Sequence, residues 1–377
     1  MTALAKSYDV IVAGAGLAGG FAAYLMARAG RRVLLAERAP FPREKVCGCC
    51  LNGQAVALLL AHGIDVADHP AAIPITELEI RHRASAMVKP VNGGVILARS
   101  TLDQLIVTKA ASHGAHFIDN CRVSVALRSP EMISATCFDE LVGTRLLIEA
   151  TGLAGRVDDQ PSESPAAGSH LGAAATFSDD ACDLKTGRIA MHVGDGGYVG
   201  LVRYTDGSIH AAAALAPALV KECGGIATAA QGILESCGRK FWRKFENEPW
   251  KGTALLTRRR CSFSRYRQFT IGDAAGYVEP FTGEGMAWAL QSAHDVFPFA
   301  MEAIDAWTEE LSLRWDASMM AFQRRRQRAC RGVSYVLRRP FIVGAAIRAD
   351  ALLSPVYTSI IRNMTSAPPG EPARAAR

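Results

Sequence analysis

The chain has 377 residues, 49% hydrophobic and 21% charged, with 42 Lys and Arg against 36 Asp and Glu for a formal net charge of +6. That length outgrows one simple core and predicts two interleaved domains, while the composition is that of an ordinary soluble globular enzyme. No run of eighteen apolar residues marks a membrane span, and the first nine residues lack the apolar core of a secretory signal, so the expected location is cytoplasmic.

The elements read as follows in chain order. Residues 8–13 are a buried parallel strand, short and β-branched, 17–29 an alanine-rich helix and 32–36 a second strand. Together they make a βαβ unit. Residues 49–62 read as helix. Residues 75–98 alternate as strands, with Asn92-Gly93 as the hairpin turn. Ser100 then caps a helix running to about residue 113, with Asp103 in capping-box position. Strands follow near 116–127, 131–138 and 141–150, and a loop covers 158–169. Residues 171–216 are β-rich, with Asp206-Gly207 as a hairpin turn, and make a sheet set over the first domain. The chain returns to strand over 253–273, then reads as long helices over 284–303 and 304–330. The Pro/Ala/Arg-rich tail from 367 to 377 reads as disordered.

Ten cysteines are scattered without a paired CxxC spacing, which predicts free thiols and no metal site. The charge is uneven. Seven arginines and no acid lie between Arg324 and Arg339, and Arg258, Arg259, Arg260, Arg265 and Arg267 form a second cluster. Such runs are solvated faces, or they attract a phosphate-bearing cofactor, an anionic membrane surface or an acidic carrier protein. No recognised nucleic-acid module accompanies them, which disfavours that partner.

The strongest motif is Gly14-Ala15-Gly16-Leu17-Ala18-Gly19, between the first strand and the first helix. Gly14 permits the tight turn, Gly16 lets backbone N–H groups approach a pyrophosphate, and Gly19 lets the helix pack against the sheet. The helix start adds partial positive charge. Glu37 ends the second strand, 23 residues after Gly14. A carboxylate there suits the hydroxyls of an adenosine ribose and repels a 2′-phosphate.

The second motif begins at Thr270-Ile271-Gly272-Asp273-Ala274-Ala275-Gly276 and runs on through Gly283-Glu284-Gly285-Met286. With it the sequence resembles the glutathione-reductase-type flavoproteins, which include geranylgeranyl reductases, aromatic-ring monooxygenases and flavin-dependent halogenases. The resemblance implies FAD, with Asp273 on the ribityl chain and Gly272, Gly283, Gly285 and Met286 beside the flavin ring. Phe41-Pro42-Arg43-Glu44-Lys45-Val46-Cys47-Gly48 is similar to a segment that runs along the cofactor in geranylgeranyl-reductase-like proteins. Arg43 and Lys45 would offset pyrophosphate charge there. Arg99 with Asp103 resembles another cofactor-touching element, and Glu149-Ala150-Thr151-Gly152 resembles the one that closes the nucleotide domain. Arg38 and Val123 complete the implied cofactor set.

The implied fold is α/β: a Rossmann-type FAD-binding domain (1–70, 95–160 and 265–305), an interleaved β-sheet substrate domain (71–94 and 161–264) and C-terminal helices (306–366). The expected reaction is hydroxylation of an apolar aromatic or polyketide-like molecule through a flavin hydroperoxide. A carbon–carbon double-bond reductase acting on an isoprenoid, and a non-catalytic flavin scaffold, are the rivals. Halogenases carry a W-x-W-x-I-P block, which this chain lacks. NADPH or NADH is the expected electron donor, directly or through a separate flavin reductase. Candidate catalytic groups are Cys47, Glu284, Tyr198 and Arg203, against which stand packing or flavin contact for Cys47, helix capping for Glu284, and core or surface packing for Tyr198 and Arg203. Lone His192, His210 and His294 read as structural, and Trp242 and Trp250 as a pocket wall or loop anchors.

Overall fold

The computed structural model describes residues 4–153, 155–158, 164–178, 182–239, 245–279, 284–337 and 339–349, and leaves aside the side chains of 325–338 and 340. The disordered-tail expectation, Gly283 and Trp242 therefore lie outside the described residues.

Strand β1 (Ser7–Ala13), helix α1 (Leu17–Arg28) and strand β2 (Val33–Ala36) form the βαβ unit. β1 pairs in parallel with β2 on one side and with the strand Glu140–Glu149 on the other. A central parallel strand is covered on both faces, hence its apolar run. Leu17 to Ala27 of α1 are all buried, which its small residues permit. A Cβ on Gly19 would stand 1.8 Å from the Gly14 carbonyl oxygen, and one on Gly20 would stand 3.1 Å from Ile106 Cγ2. The sheet order runs Ser264–Arg265, Gln268–Thr270, Glu140–Glu149, β1, β2, His116–Ile118.

The second sheet has seven strands in the order Lys251–Leu255, Leu171–Phe177, Ile209–Leu215, Gly197–Arg203, Arg188–Gly194, Glu77–His82, Ser85–Pro90. One face is closed by the helix Ile226–Ser236, whose Ala229, Ala230, Ile233 and Leu234 meet Ala173, Ala175, Val199 and Leu201. The other face packs Val343 and Ile347 of the helix Pro340–Arg348 near Met191 and Tyr198. Trp250 packs on Phe245, with ring centroids 5.8 Å apart. The long helices Glu284–Asp305 and Glu309–Leu337 follow, and Trp315 of the latter is locked in the core by its indole N–H donating to Phe263 O (3.1 Å). Among the described residues no helix is long and apolar enough to cross a membrane.

Three local expectations are corrected. The hairpin between Glu77–His82 and Ser85–Pro90 turns at Arg83-Ala84, with Arg83 at φ 52°, and Asn92-Gly93 lies in the loop beyond it. That loop passes so close to Leu51 that a Cβ on Gly94 would stand 2.6 Å from Leu51 O, so the glycines serve a backbone crossing. The helix Arg99–Ser112 is preceded by Ala98 and has no side-chain cap. Asp103 instead takes the buried Arg99 guanidinium (2.9 Å), because a buried cation needs a counter-charge more than a helix end needs a cap. The helix read from 49 starts at Gly53, after a short strand at Cys50–Leu51, because Cys49 adopts φ 57°.

Gly19→Ala should lower the melting temperature by several degrees, since the new methyl group meets backbone rather than a movable side chain. Gly232 is an exposed helix position with nothing within 4 Å of an added Cβ, so Gly232→Ala should raise stability by about 0.5–1 kcal/mol. Thermal melts of the two variants check the pair, and equal effects would contradict the packing.

Candidate active site

The two glycine turns meet. Gly14, at φ 106°, donates its N–H to Ala36 O (2.7 Å), and a Cβ there would stand 2.4 Å from Ala150 O. Gly272, at φ 62°, donates to Ser292 Oγ (2.9 Å), and its Cβ would stand 2.8 Å from the Ala18 Cβ. The second turn is thus seated against the first turn of α1. Glu149, fully buried at the end of its strand, ties the two together: its Oε2 accepts from Arg260 (3.1 Å), Thr270 (3.0 Å) and Gln268 (3.3 Å), and Arg260 also donates to Ala274 O (3.1 Å).

Glu37 follows β2 and is 5% exposed. Its carboxylate accepts the backbone N–H groups of Ala15 (3.1 Å) and Ala39 (3.2 Å) and pairs with Arg43 (3.1 Å). Arg43 also approaches Asp103 (3.7 Å) and lies 3.3 Å from where a Gly16 Cβ would stand. Lys45 reaches across to Asp273 at 2.9 Å.

Where these elements face the second sheet there is a cavity with an empty volume of about 1540 Å³ counted out to its mouth. Gly16, Leu17, Ala18, Lys45, Val46 and Gly48 line one side. Arg99, Gly152, Asp273, Gly285 and Met286 continue it. Small and aliphatic residues of the sheet, among them Gly172, Gly200, Ala212, Ala214, Val202 and Leu256, form the facing wall.

The residues present fit FAD. Arg43 Nε is buried without a hydrogen-bond partner among the described residues, beside a glycine whose missing side chain leaves backbone exposed, which is the arrangement a phosphate oxygen satisfies. Buried Thr151 Oγ1 is a second such orphan, at the closing turn.

Several candidates lie elsewhere. Val123 is buried in a core with Tyr8, Ile11 and Ala13, and Arg38 is exposed. Glu284, at the first turn of its helix, is half-buried and is not among the lining residues, although its neighbour Gly285 is. Arg203 is spent on the carbonyls of Leu184 (3.0 Å), Cys182 (2.7 Å) and Gly207 (2.6 Å), so it holds a loop rather than facing the cavity. Tyr198 does line the cavity and is 8% exposed.

Cys47, Cys49 and Cys50 are free thiols on the cavity wall. The Cys49 thiol and burial push Cys47 well above the usual thiol range, so Cys47 is a neutral thiol near neutral pH, while the same Cys47 contact draws Cys49 down. His210 anchors this loop by Nε2 to Cys47 O (2.7 Å), with Thr176 Oγ1 on its other nitrogen (2.9 Å). Burial and the nearby Arg239 push His192 down to about 4. His294 stacks edge-on to His62, with ring centroids 5.3 Å apart.

One pair escaped the sequence reading. Glu279, which follows the second motif, lines the cavity at 4% exposure, and the His170 imidazole lies 3.2 Å and 3.3 Å from its two oxygens. Position directly after a cofactor motif and before a proline was its one local signal.

A family profile described as "FAD binding domain" matches residues 7–156. The chain is 25% identical over 323 residues to conditioned medium factor receptor 1 of Dictyostelium discoideum, covering 76% of this chain and 62% of that one. It is 37% identical over 166 residues to menaquinone reductase of Mycobacterium tuberculosis, covering 39% of this chain and 38% of that one. The matches thus span less than two thirds of either relative. In fold it is similar to PqsL of Pseudomonas aeruginosa, described as "a probable FAD-dependent monooxygenase", with a TM-score of 0.69, 17% identity, and coverage of 91% of this chain and 100% of that one. Residues 7–156 are thus an FAD-binding domain by the profile they match.

Proposed function

We propose that this protein is a monooxygenase that holds FAD between its two glycine turns and hydroxylates an apolar, ring-bearing small molecule in the cavity, with NADPH or NADH supplying electrons. The observation that carries the reading is the apolar wall of the cavity: Gly172, Gly200, Ala212 and Ala214 line it on the side of the second sheet, and Asp273 and Gly285 line it too.

When bound, FAD supplies the redox chemistry. The chain's own residues position it. The N–H groups of the Gly14–Gly19 turn and the start of α1 would hold its phosphates, with Arg43 to neutralise them and Lys45 adding positive charge from its place beside Asp273. Asp273 would accept hydrogen bonds from its ribityl hydroxyls. The start of the helix Glu284–Asp305, at Gly285 and Met286, places N–H groups where negative charge on the ring is stabilised. The aliphatic sheet excludes water from the reacting face.

The 37% identity to a menaquinone reductase over 166 residues supports a second reading, transfer of electrons from FAD to a quinone-like or unsaturated acceptor in the same cavity.

Two measurements test these statements. Asp273→Ala removes an ionic hydrogen-bond acceptor, so FAD should bind about tenfold or more weakly, read as loss of flavin absorbance after gel filtration while far-UV circular dichroism is kept. Full flavin retention would misplace the site. With a panel of phenols and naphthols, oxygen uptake should match NAD(P)H oxidation and hydroxylated product in amount. Anaerobic NAD(P)H oxidation coupled to reduction of a soluble naphthoquinone would replace the monooxygenase reading with the reductase one.

A further inference from the structure

Cys47, Cys49 and Cys50 stand on the cavity wall, and the handling of FAD described above uses none of them. The three thiols are not alike. Burial pushes Cys50 far above the usual thiol range, and its thiol donates to Gly48 O (3.1 Å). The contact with Cys49, together with burial, pushes Cys47 up as well, so Cys47 keeps its proton and donates it to the Cys49 sulfur. Tyr204 donates its hydroxyl to the same sulfur, and burial keeps that phenol protonated. The Cys47 contact and, after it, the Tyr204 hydroxyl draw Cys49 down against the opposing effect of burial. Cys49 is therefore the one thiol of the three whose ionised form the surroundings favour.

The backbone holds it in place. Cys49 adopts φ 57°, in the left-handed region that favours glycine, and a side chain kept there is held by its surroundings at a cost. Its carbonyl accepts the Leu97 N–H (3.0 Å), and Cys50 and Leu51 pair with Ile96 and Val95. The sulfur lies 3.6 Å from His210 Nε2. A carbonyl oxygen can only accept, so the Nε2 that meets Cys47 O at 2.7 Å carries the proton, and Nδ1 takes the Thr176 hydroxyl (2.9 Å). The imidazole thus turns an N–H edge toward the sulfur, and burial favours its neutral form. Tyr204 follows the strand Gly197–Arg203, and His210 lies in Ile209–Leu215, so the sulfur sits where the loop meets the second sheet. Val202 and Ala212 of those same strands line the cavity beside it.

We infer that Cys49 is a covalent modification site of the cavity, a thiolate that adds to a flat quinone ring, with Tyr204 as the positioning residue that holds its charge. The sulfur lone pair becomes a C–S bond at a ring carbon, and the carbon–carbon π pair moves onto a carbonyl oxygen. The thiol proton and the ring proton displaced at that carbon end on the two oxygens. The product is the hydroquinone thioether: every atom is kept, and no oxidant or reductant enters. A thiolate is a soft nucleophile, and the apolar wall favours an uncharged ring over a charged electrophile. The inference rests on the cavity admitting an apolar ring, as proposed above, and adds a covalent control of that site, since an adduct on Cys49 fills the space a substrate needs.

The test uses the FAD-loaded protein under argon with 1,4-naphthoquinone and no reductant, in a Cys261→Ser background that removes an exposed thiol. Intact mass and peptide mapping should find one quinone added on Cys49. Cys49→Gly, which suits the left-handed backbone, should lose that adduct. Tyr204→Phe removes a donor to the sulfur, so labelling near neutral pH should slow about threefold or more. The midpoint of its pH–rate curve should move to higher pH with the plateau rate kept, whereas a loosened fold would speed labelling at every pH. An adduct on Cys47 or Cys50 in place of Cys49, no adduct on Cys49, or an unmoved midpoint in Tyr204→Phe overturns the proposal. A parallel arm with iodoacetamide separates the causes of failure. Alkylation of Cys49 without a quinone adduct would mean that the cavity refuses the ring, which also removes the ring-bearing substrate. Failure of both reagents would mean that the sulfur is not nucleophilic, and it would leave the proposed reaction untouched.

Discussion

Everything in this molecule depends on backbone packed against backbone where two turns would collide if they carried side chains. Gly19 lies against the Gly14 carbonyl and Gly272 against Ala18, so the second motif sits on the first turn of α1 rather than a side chain's width away. That approach sets Asp273 opposite Lys45 and brings the start of the helix Glu284–Asp305 to the cavity. The Glu149 carboxylate, bonded to Arg260, Thr270 and Gln268, fixes the same junction from below the sheet. A wider spacing would part Asp273 from Lys45 and open the cavity between the two turns.

The second constraint is the asymmetry of the seven-stranded sheet. One face is filled by Ile233, Leu234 and Phe245 and makes an ordinary core. The other presents Gly172, Gly200, Ala212 and Ala214 across neighbouring strands, in register Gly200↔Ala212 and Gly172↔Ala214. Apolar burial is worth about 25 cal/mol per Å², so a sheet that leaves its face unfilled forgoes stability it would gain from larger side chains. The Met191 sulfur lies 2.8 Å from where a Gly200 Cβ would stand, so even one added methyl group would force Met191 to move. The void is kept because the strands are small-residued, and the stability comes from the opposite face.

The βαβ unit and both glycine turns were legible because their signals are local: a β-branched run, a glycine spacing and an acid at a strand end. So was the hairpin at Asp206-Gly207, where Ser208 N–H closes onto Asp206 (2.9 Å). What misled the reading was tertiary override of local preference. Asn92-Gly93 is a stronger turn pair than Arg83-Ala84, yet the sheet register places the turn at Arg83. Asp103 resembles a capping residue until Arg99 is seen to be buried beside it. Arg203 sits on a strand of the cavity sheet, but its guanidinium reaches three carbonyls, which no pattern of residues announces. The Glu279–His170 contact had no signature beyond the place of Glu279 after the second motif, because it joins two segments that lie 109 residues apart.

The arginine clusters teach the same lesson about charge. Arg260 is spent on Glu149, Arg265 on Asp158 and Arg267 on the carbonyls of Pro130 and Arg145, so three arginines of the basic run near 260 hold the fold together. Arg43 is different in kind. It is held by Glu37 and Asp103, yet it keeps a buried Nε donor beside the bare backbone of Gly16. A guanidinium with every donor satisfied by protein contributes only to folding. One held in place with a donor to spare is pre-organised for an oxyanion, because its orientation is already fixed and the ligand need only complete it. Net charge marks neither case, and the distinction lies in which hydrogen bonds the folded chain has left unmade.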